Sequence, residues 1–346
     1  MPDAKARPHP RLRATVLPIA AGLGLLFQTL PFVPAWDAVF RGRNDFSMLY
    51  VAAHLLRSGG LYDSPVFLAK QAELFGMTNR NVLFIRLPYL ALLCEPLGRL
   101  PYPMAYGIWQ ALSLAAFILF VLFWPANRPA AVLACCWFPP LASNFANGQD
   151  VTFLLLWMAL AVRFAARGEE FAAGLALSLC LAKPHLFLFL PVLLLVRRNG
   201  RFAAGLSAGS AVLIAASFLA GGKHWPLELL TLIRQPAAHG ITAKYSALAL
   251  LGSVAPPAAA AMLALLLTGA LAVAVYRFAR RRSFMEGLAG AAAAGPIVGF
   301  HVFLQDYLLA LPLVMILVSG ALENPPSEAW EAAGGEAPLP RNSVKL

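Results

Sequence analysis

Basic residues fall in four tight groups along this chain, separated by apolar stretches long enough to cross a bilayer. The groups are Arg7, Arg11 and Arg13; Arg163 and Arg167; Arg197, Arg198 and Arg201; and Arg277, Arg280, Arg281 and Arg282. Lys and Arg concentrate in the cytoplasmic segments of polytopic proteins, so all four groups are expected on that side. Segments lying between two groups must then cross an even number of times. Composition agrees with a membrane chain: of 346 residues, 60% are hydrophobic and 12% charged, against roughly half and a quarter in soluble domains. The net charge of +11 therefore reports orientation, and nucleic acid is not expected as a partner.

Candidate helices at residues 15–33, 104–124, 129–145 and 150–166 satisfy the even count between the first two groups. The stretch 83–98 carries Arg86, Glu95, Pro88 and Pro96 and reads as re-entrant or interfacial. Between the second and third groups, 171–196 is interrupted by Lys183-Pro184-His185, which predicts a hairpin of two half-length helices with that tripeptide at its tip. Such breaks survive in lipid only where protein or a water-filled cavity covers them. Further helices are expected at 202–221, 258–276, 285–300 and 303–320, with a short apolar segment at 246–255. The fold class is thus an all-α, polytopic transmembrane bundle of about 8–11 helices, some re-entrant or half-length. Residues 1–320 form the membrane domain, with an outer-face loop at 34–103, and 321–346 a disordered cytoplasmic tail.

Several chemistries are excluded. No glycine-rich phosphate loop occurs, and no room remains for a nucleotide-binding sheet. Cys94, Cys135, Cys136 and Cys180 lack metal-site or redox spacing and read as small apolar residues. No cluster of metal ligands is apparent, and neither metal nor cofactor is expected.

The polar residues on the outer side are then the ones to weigh. Apolar residues recur at helical spacing after Asp45 (Phe46, Leu49, Tyr50, Ala53, Leu56), which predicts an amphipathic helix on the bilayer surface. Asp45 reads either as its N-terminal cap or as a catalytic base. His301 and Asp306 flank the last outer turn, either tying two helices together or acting in catalysis. Asn147-Gly148-Gln149-Asp150 looks like a plain turn. Lys183, at membrane depth, needs a partner, either a lipid phosphate or an internal carboxylate such as Glu95. Lys223, His224, Arg234, His239 and Lys244 form a basic outer loop, either solvated or gripping a lipid-linked phosphate.

Taken in order, Asn44-Asp45-Phe46, Tyr50-Val-Ala-Ala, Gly60-Leu-Tyr62-Asp63, Pro88, Pro96, Leu100-Pro101, Trp109, Asn147-Gly148-Gln149, Lys183-Pro184 and His301 with Asp306 resemble glycosyltransferase family 87 over residues 12–320. The resemblance implies a GT-C fold and transfer of mannose, or a similar sugar, from a polyprenyl-phosphate donor to a glycolipid or glycan acceptor. It also implies a bacterial inner membrane, a site facing the exterior, and membrane lipids as surroundings. Asp45 falls on the family's aspartate and His301 on its histidine, as catalytic residues. Arg86, Gln149, Asp150, Lys183, His224 and Asp306 are expected to bind substrate. The chain departs from the family pattern where Arg86-Leu87-Pro88 replaces Tyr-x-Pro and Gly148-Gln149-Asp150 replaces Gly-Gln-Asn, so the sugar is left open. An inverting transfer from a lipid phosphate needs a base for the acceptor hydroxyl and no acid for the leaving group, a role that suits Asp45. The rival readings are a transporter or flippase of lipid-linked sugars and a scaffold working through its acidic tail.

Overall fold

The computed structural model describes residues 10–35, 37, 39, 41–56, 58–76, 82–235, 245–299 and 301–323. Among them there is no β-strand; the chain is a helical membrane bundle. The apolar stretches 16–34, Tyr102–Phe123 (α5), Gly200–Gly221 (α11) and Pro257–Arg280 (α14) are each long and apolar enough to span a bilayer. The first comprises α1 (Pro10–Thr29) and a 3-10 segment, Leu30–Ala35.

Shorter helices fill the remainder. Phe46–Leu55 (α2), Ser64–Phe75 (α3) and Pro88–Gly98 (α4) lie between α1 and α5. Arg128–Cys136 (α6), Pro139–Asn147 (α7) and Val151–Ala166 (α8) follow α5. The 129–145 helix expected from sequence is thus two helices. Pro139 and Pro140 cannot donate to the preceding turn, and the break falls at Trp137 and Phe138. The amphipathic surface helix expected after Asp45 is also corrected. Helix α2 is buried on nearly every side, from Phe46 through Ala53 and at Leu55, because α3, α4 and α5 pack over it.

The hairpin takes its expected form. Its rising leg is α9 (Glu170–Ser178) with a 3-10 turn, Leu179–Ala182; its descending leg is a 3-10 turn, Pro184–Phe187, followed by α10 (Leu190–Arg197). The two legs splay apart: α9 packs on α8 and α11, whereas α10 packs on α14 and α15 (Phe284–Val298). Helices α9 and α11 run parallel, their backbones meeting where Gly174 faces Phe202 and Gly205 faces Phe171; a side chain on either glycine would collide with the opposite carbonyl. Small residues permit such close crossings in membranes.

The helix directions gather the second, third and fourth basic groups at one end. Helices α5 and α8 run parallel, joined by Ser113 and Thr152 Oγ atoms 2.7 Å apart near one end and by the Arg163 guanidinium over the Phe123 ring near the other. Arg197 lies over the Phe284 ring at the start of α15, which places the third and fourth groups together. Trp225–Arg234 (α12) begins with the Trp225 ring against Phe218 of α11, Ala247–Val254 (α13) packs on α14, and the 3-10 segment Leu304–Ala310 leads into Leu311–Glu323 (α16). The expected cytoplasmic tail falls outside the described residues from 324 onward, as does Arg7.

Candidate active site

Four chain segments converge at the end of the bundle away from the arginine groups. The first is the loop entering α2. There Asn44 does the capping: its Oδ1 accepts from the Ser47 backbone N–H at 3.2 Å and from the Tyr102 hydroxyl at 2.9 Å. Asp45, in the cap position, makes no capping bond and has helical backbone angles. The cap reading of Asp45 is therefore corrected, and its carboxylate is free to turn toward the second segment.

That segment is Asn147-Gly148-Gln149-Asp150, between α7 and α8. Gly148 has φ +61°, and a Cβ there would meet both Phe46 Cβ and Tyr106 Cε2 at 2.9 Å, so only glycine fits. Its carbonyl accepts from Trp109 Nε1 at 2.9 Å. The neighbouring Asn147 carbonyl accepts the backbone N–H of Asp45 at 2.9 Å. Gln149 then donates through Nε2 to Asp45 Oδ2 at 2.5 Å. A motif that reads as a plain turn is thus fastened to Asp45 by backbone and by side chain.

Lys183 comes from the hairpin tip and is 1% exposed. Its ammonium donates to Gln149 Oε1 at 2.8 Å and to Asp306 Oδ1 at 2.7 Å, and stands 3.0 Å from Asp150 Oδ1. The internal carboxylates that neutralise it are thus Asp150 and Asp306. Glu95, the carboxylate proposed from sequence, pairs instead with Arg99 at 2.9 Å one helical turn away.

The fourth segment precedes α16. Asp306 Oδ2 accepts the Phe303 backbone N–H at 2.9 Å, which fixes the carboxylate against the lysine. Gln305, which sequence reasoning missed, donates to Asp45 Oδ2 at 3.1 Å, and its Oε1 accepts from Ser143 Oγ at 3.0 Å. Its only signal was a polar residue beside Asp306 in an apolar run.

Arg86 joins the cluster from the extended stretch before α4, anchored by the Tyr62 hydroxyl on its own carbonyl and by Gln71 on the Val82 carbonyl. It is 5% exposed, yet among the described residues Nε and Nη1 have no hydrogen-bond acceptor; the nearest carboxylate oxygen there is Asp150 Oδ2, 3.8 Å from Nε. Buried donors are costly to leave unmade, so this guanidinium is prepared for an anion.

The three carboxylates differ in kind. Asp150 and Asp306 are buried and ion-paired with Lys183. Asp45 retains partial exposure, and among the described residues its hydrogen bonds come from two neutral amides, both on Oδ2. Packing around it pushes its carboxyl above the ordinary aspartate value; the Gln149 hydrogen bond and the charges of Lys183 and Arg86 oppose the rise, while Asp306 adds to it. A carboxylate that is reachable, and whose proton affinity is raised, suits proton abstraction.

His301 stands beside His185, whose Nε2 donates to the His301 carbonyl at 3.0 Å, the rings lying 6.2 Å apart. Burial, helped by the charge of Arg86 and by His185, holds the His301 ring down to about 3, so it is neutral at working pH. Its described contacts are with His185 and Phe303, not with Asp45. His224 is not brought to the cluster: it is exposed at the head of α12, as Lys223 is beside it. His239 and Lys244 lie outside the described residues.

The sequence profile of glycosyltransferase family 87 matches residues 84–319, well over half of the chain. The matched span holds Arg86, Gln149, Asp150, Lys183, His301, Gln305 and Asp306 and begins downstream of Asp45. No curated protein and no solved structure matches.

Proposed function

The chain belongs to glycosyltransferase family 87 and is a membrane glycosyltransferase; we propose that it transfers a sugar from a polyprenyl-phosphate donor to a glycolipid or glycan acceptor, with inversion at the anomeric carbon. The carrying observation is the pairing, in one buried cluster, of a reachable carboxylate, Asp45, with a guanidinium, Arg86; among the described residues the first has no ion pair and the second has Nε and Nη1 unfilled. Arg86 receives the donor phosphate, with Lys183 behind it at 3.0 Å or less from Asp150 and Asp306. Asp45 takes the acceptor hydroxyl proton as that oxygen bonds to the anomeric carbon. The bond from that carbon to the phosphate oxygen breaks, and its electron pair leaves with the phosphate, whose growing charge the two cations offset.

In this reading cationic side chains do the work a metal ion does elsewhere, and no cofactor takes part. Neutral His301 serves as a hydrogen-bonding group for sugar or phosphate. The arginine groups mark the cytoplasmic end under the positive-inside rule, so the cluster faces the exterior of a bacterial inner membrane. Mannose is the sugar the family resemblance favours, with Arg86 and Asp150 as the positions where the chain departs from it.

The test is transfer of radiolabelled sugar from a panel of polyprenyl-phosphate sugars to membrane lipid, by wild type and Asp45→Asn. Transfer that depends on one donor and is lost in an accumulating Asp45→Asn protein is expected. Equal transfer by both proteins would overturn the assignment of the base.

A further inference from the structure

Both hydrogen bonds to Asp45 fall on the same oxygen, and each comes from an amide whose orientation is set from behind. An ammonium can only donate, so the Gln149 atom 2.8 Å from Lys183 Nζ is the carbonyl oxygen, and Nε2 must face Asp45. On the other side, Asn147 Nδ2 donates to the Ser143 carbonyl at 3.0 Å and to Ser143 Oγ at 3.3 Å. That leaves the hydroxyl proton of Ser143 for Gln305 Oε1 at 3.0 Å, and Gln305 Nε2 is turned toward Asp45 Oδ2 at 3.1 Å. Two relays, Lys183 to Gln149 and Asn147 through Ser143 to Gln305, therefore meet on Oδ2. No hydrogen bond reaches Oδ1 among the described residues.

We propose that Gln305, with Gln149, is a positioning residue: the two amides hold Oδ2 of Asp45 as the charge-bearing oxygen and leave Oδ1 as the oxygen that takes the acceptor proton. The proposal rests on the reading of Asp45 as the base. The clamp does two things for that base. It fixes the carboxylate plane so that one oxygen is left without a donor among the described residues. It also stabilises the ionised form with donors that carry no net charge, so Asp45 is not locked into an ion pair as Asp150 and Asp306 are. Removing a donor from Oδ2 makes the carboxylate harder to ionise, whereas a merely structural amide would leave its titration unchanged.

The test is infrared titration of the carboxyl band of the purified full-length protein, assigned by its loss in Asp45→Asn. It is run on wild type, Gln305→Leu and Ser143→Ala, alongside the pH profile of transfer from polyprenyl-phosphate mannose into membrane lipid extract. In Gln305→Leu the Asp45 midpoint is expected to move up by about one pH unit. Transfer should fall most at low pH and recover toward wild type at high pH, with KM for the donor unchanged. Ser143→Ala, whose hydroxyl is relayed to the Asp45 carboxylate through Gln305, should shift the midpoint in the same direction by less, and it decides the matter if Gln305→Leu does not accumulate. An unmoved midpoint, or a loss of transfer that is equal at every pH, would overturn the clamp. A shifted midpoint in a protein whose Asp45→Asn form transfers at the wild-type rate would instead overturn Asp45 as the base and leave the clamp standing.

Discussion

Lys183 and Asp306 are 123 residues apart in the chain and 2.7 Å apart in space, ammonium nitrogen to Oδ1. With Asp150 on the lysine's other side, one buried cation satisfies two buried anions. Breaking such a pair from one side leaves uncompensated charge, at a cost of about 3–5 kcal/mol. Lys183→Met should therefore unfold well below wild type in detergent, measured by thermal denaturation. The double variant Lys183→Met with Asp306→Asn should recover part of the loss, because one orphaned carboxylate is removed with the cation.

Asp45→Asn keeps shape while removing the base. Loss of a general base lowers rates by roughly 10²–10⁴-fold, so transfer should fall by that order. Accumulation and melting temperature should stay near wild type, because Asp45 makes no ion pair among the described residues and does not cap α2.

The pH profile of transfer should have one ascending limb, set by the ionisation of Asp45. Transfer needs ionised Asp45, so the rate is low where the carboxyl is protonated and rises with pH through its ionisation. Burial raises that ionisation above the ordinary 3.8, so the limb lies above that of an exposed aspartate. His301, held to about 3, is already neutral across this range and adds no limb. A steady-state rate measured from pH 4 upward, in wild type and His301→Gln, should show the same midpoint in both.

Gly148→Ala should harm both stability and turnover. The left-handed backbone costs a non-glycine residue about 1–2 kcal/mol, and the new Cβ would press on Phe46 and Tyr106 at 2.9 Å. The displaced turn carries the Asn147 carbonyl that holds Asp45. Thermal denaturation and transfer rate, read together, should both fall, unlike the pattern for Asp45→Asn.

Arg86→Gln is expected to raise KM for the lipid donor several-fold while leaving fold and accumulation intact, because Asp150 keeps Lys183 as its partner. Arg86→Lys should recover only part of the affinity, since an ammonium cannot reproduce the planar fork of donors. Donor titration of the three proteins reads the difference.

Much of this arrangement was legible before any coordinates. The arginine spacing anticipated that the second, third and fourth basic groups share one end of the bundle, with the hairpin legs running away from it and back. Lys183 and Asp306 stood out because ionisable residues at membrane depth are costly and must be partnered, whereas Asp45 read as a cap or a base, and Gln149 and Asp150 read as a plain turn that only the family resemblance brought to the site. Three features did not emerge, for separate reasons. Helix α2 was placed on the surface from one apolar stripe, although Phe46–Leu55 holds only Ser47 and His54 as polar residues; a helix apolar all round belongs inside. The break at Pro139-Pro140 was written in the sequence and outweighed by the length of the apolar run. The role of Gln305 depends on a partner 260 residues away, which no local pattern encodes.

The splayed hairpin ties the electrostatics of the site to the mechanics of the bundle. Its rising leg belongs to a group with α8 and α11, its descending leg to a group with α14 and α15, where Phe189 joins a small apolar cluster of its own. Lys183 sits at the joint, with Asp150 at the head of α8 on one side and Asp306 on the other. The lysine therefore joins the head of α8 to the Leu304–Ala310 segment, which itself packs on α7, α8 and α15. The charge balance beside Asp45 is thus set by contacts that reach into both helix groups at once.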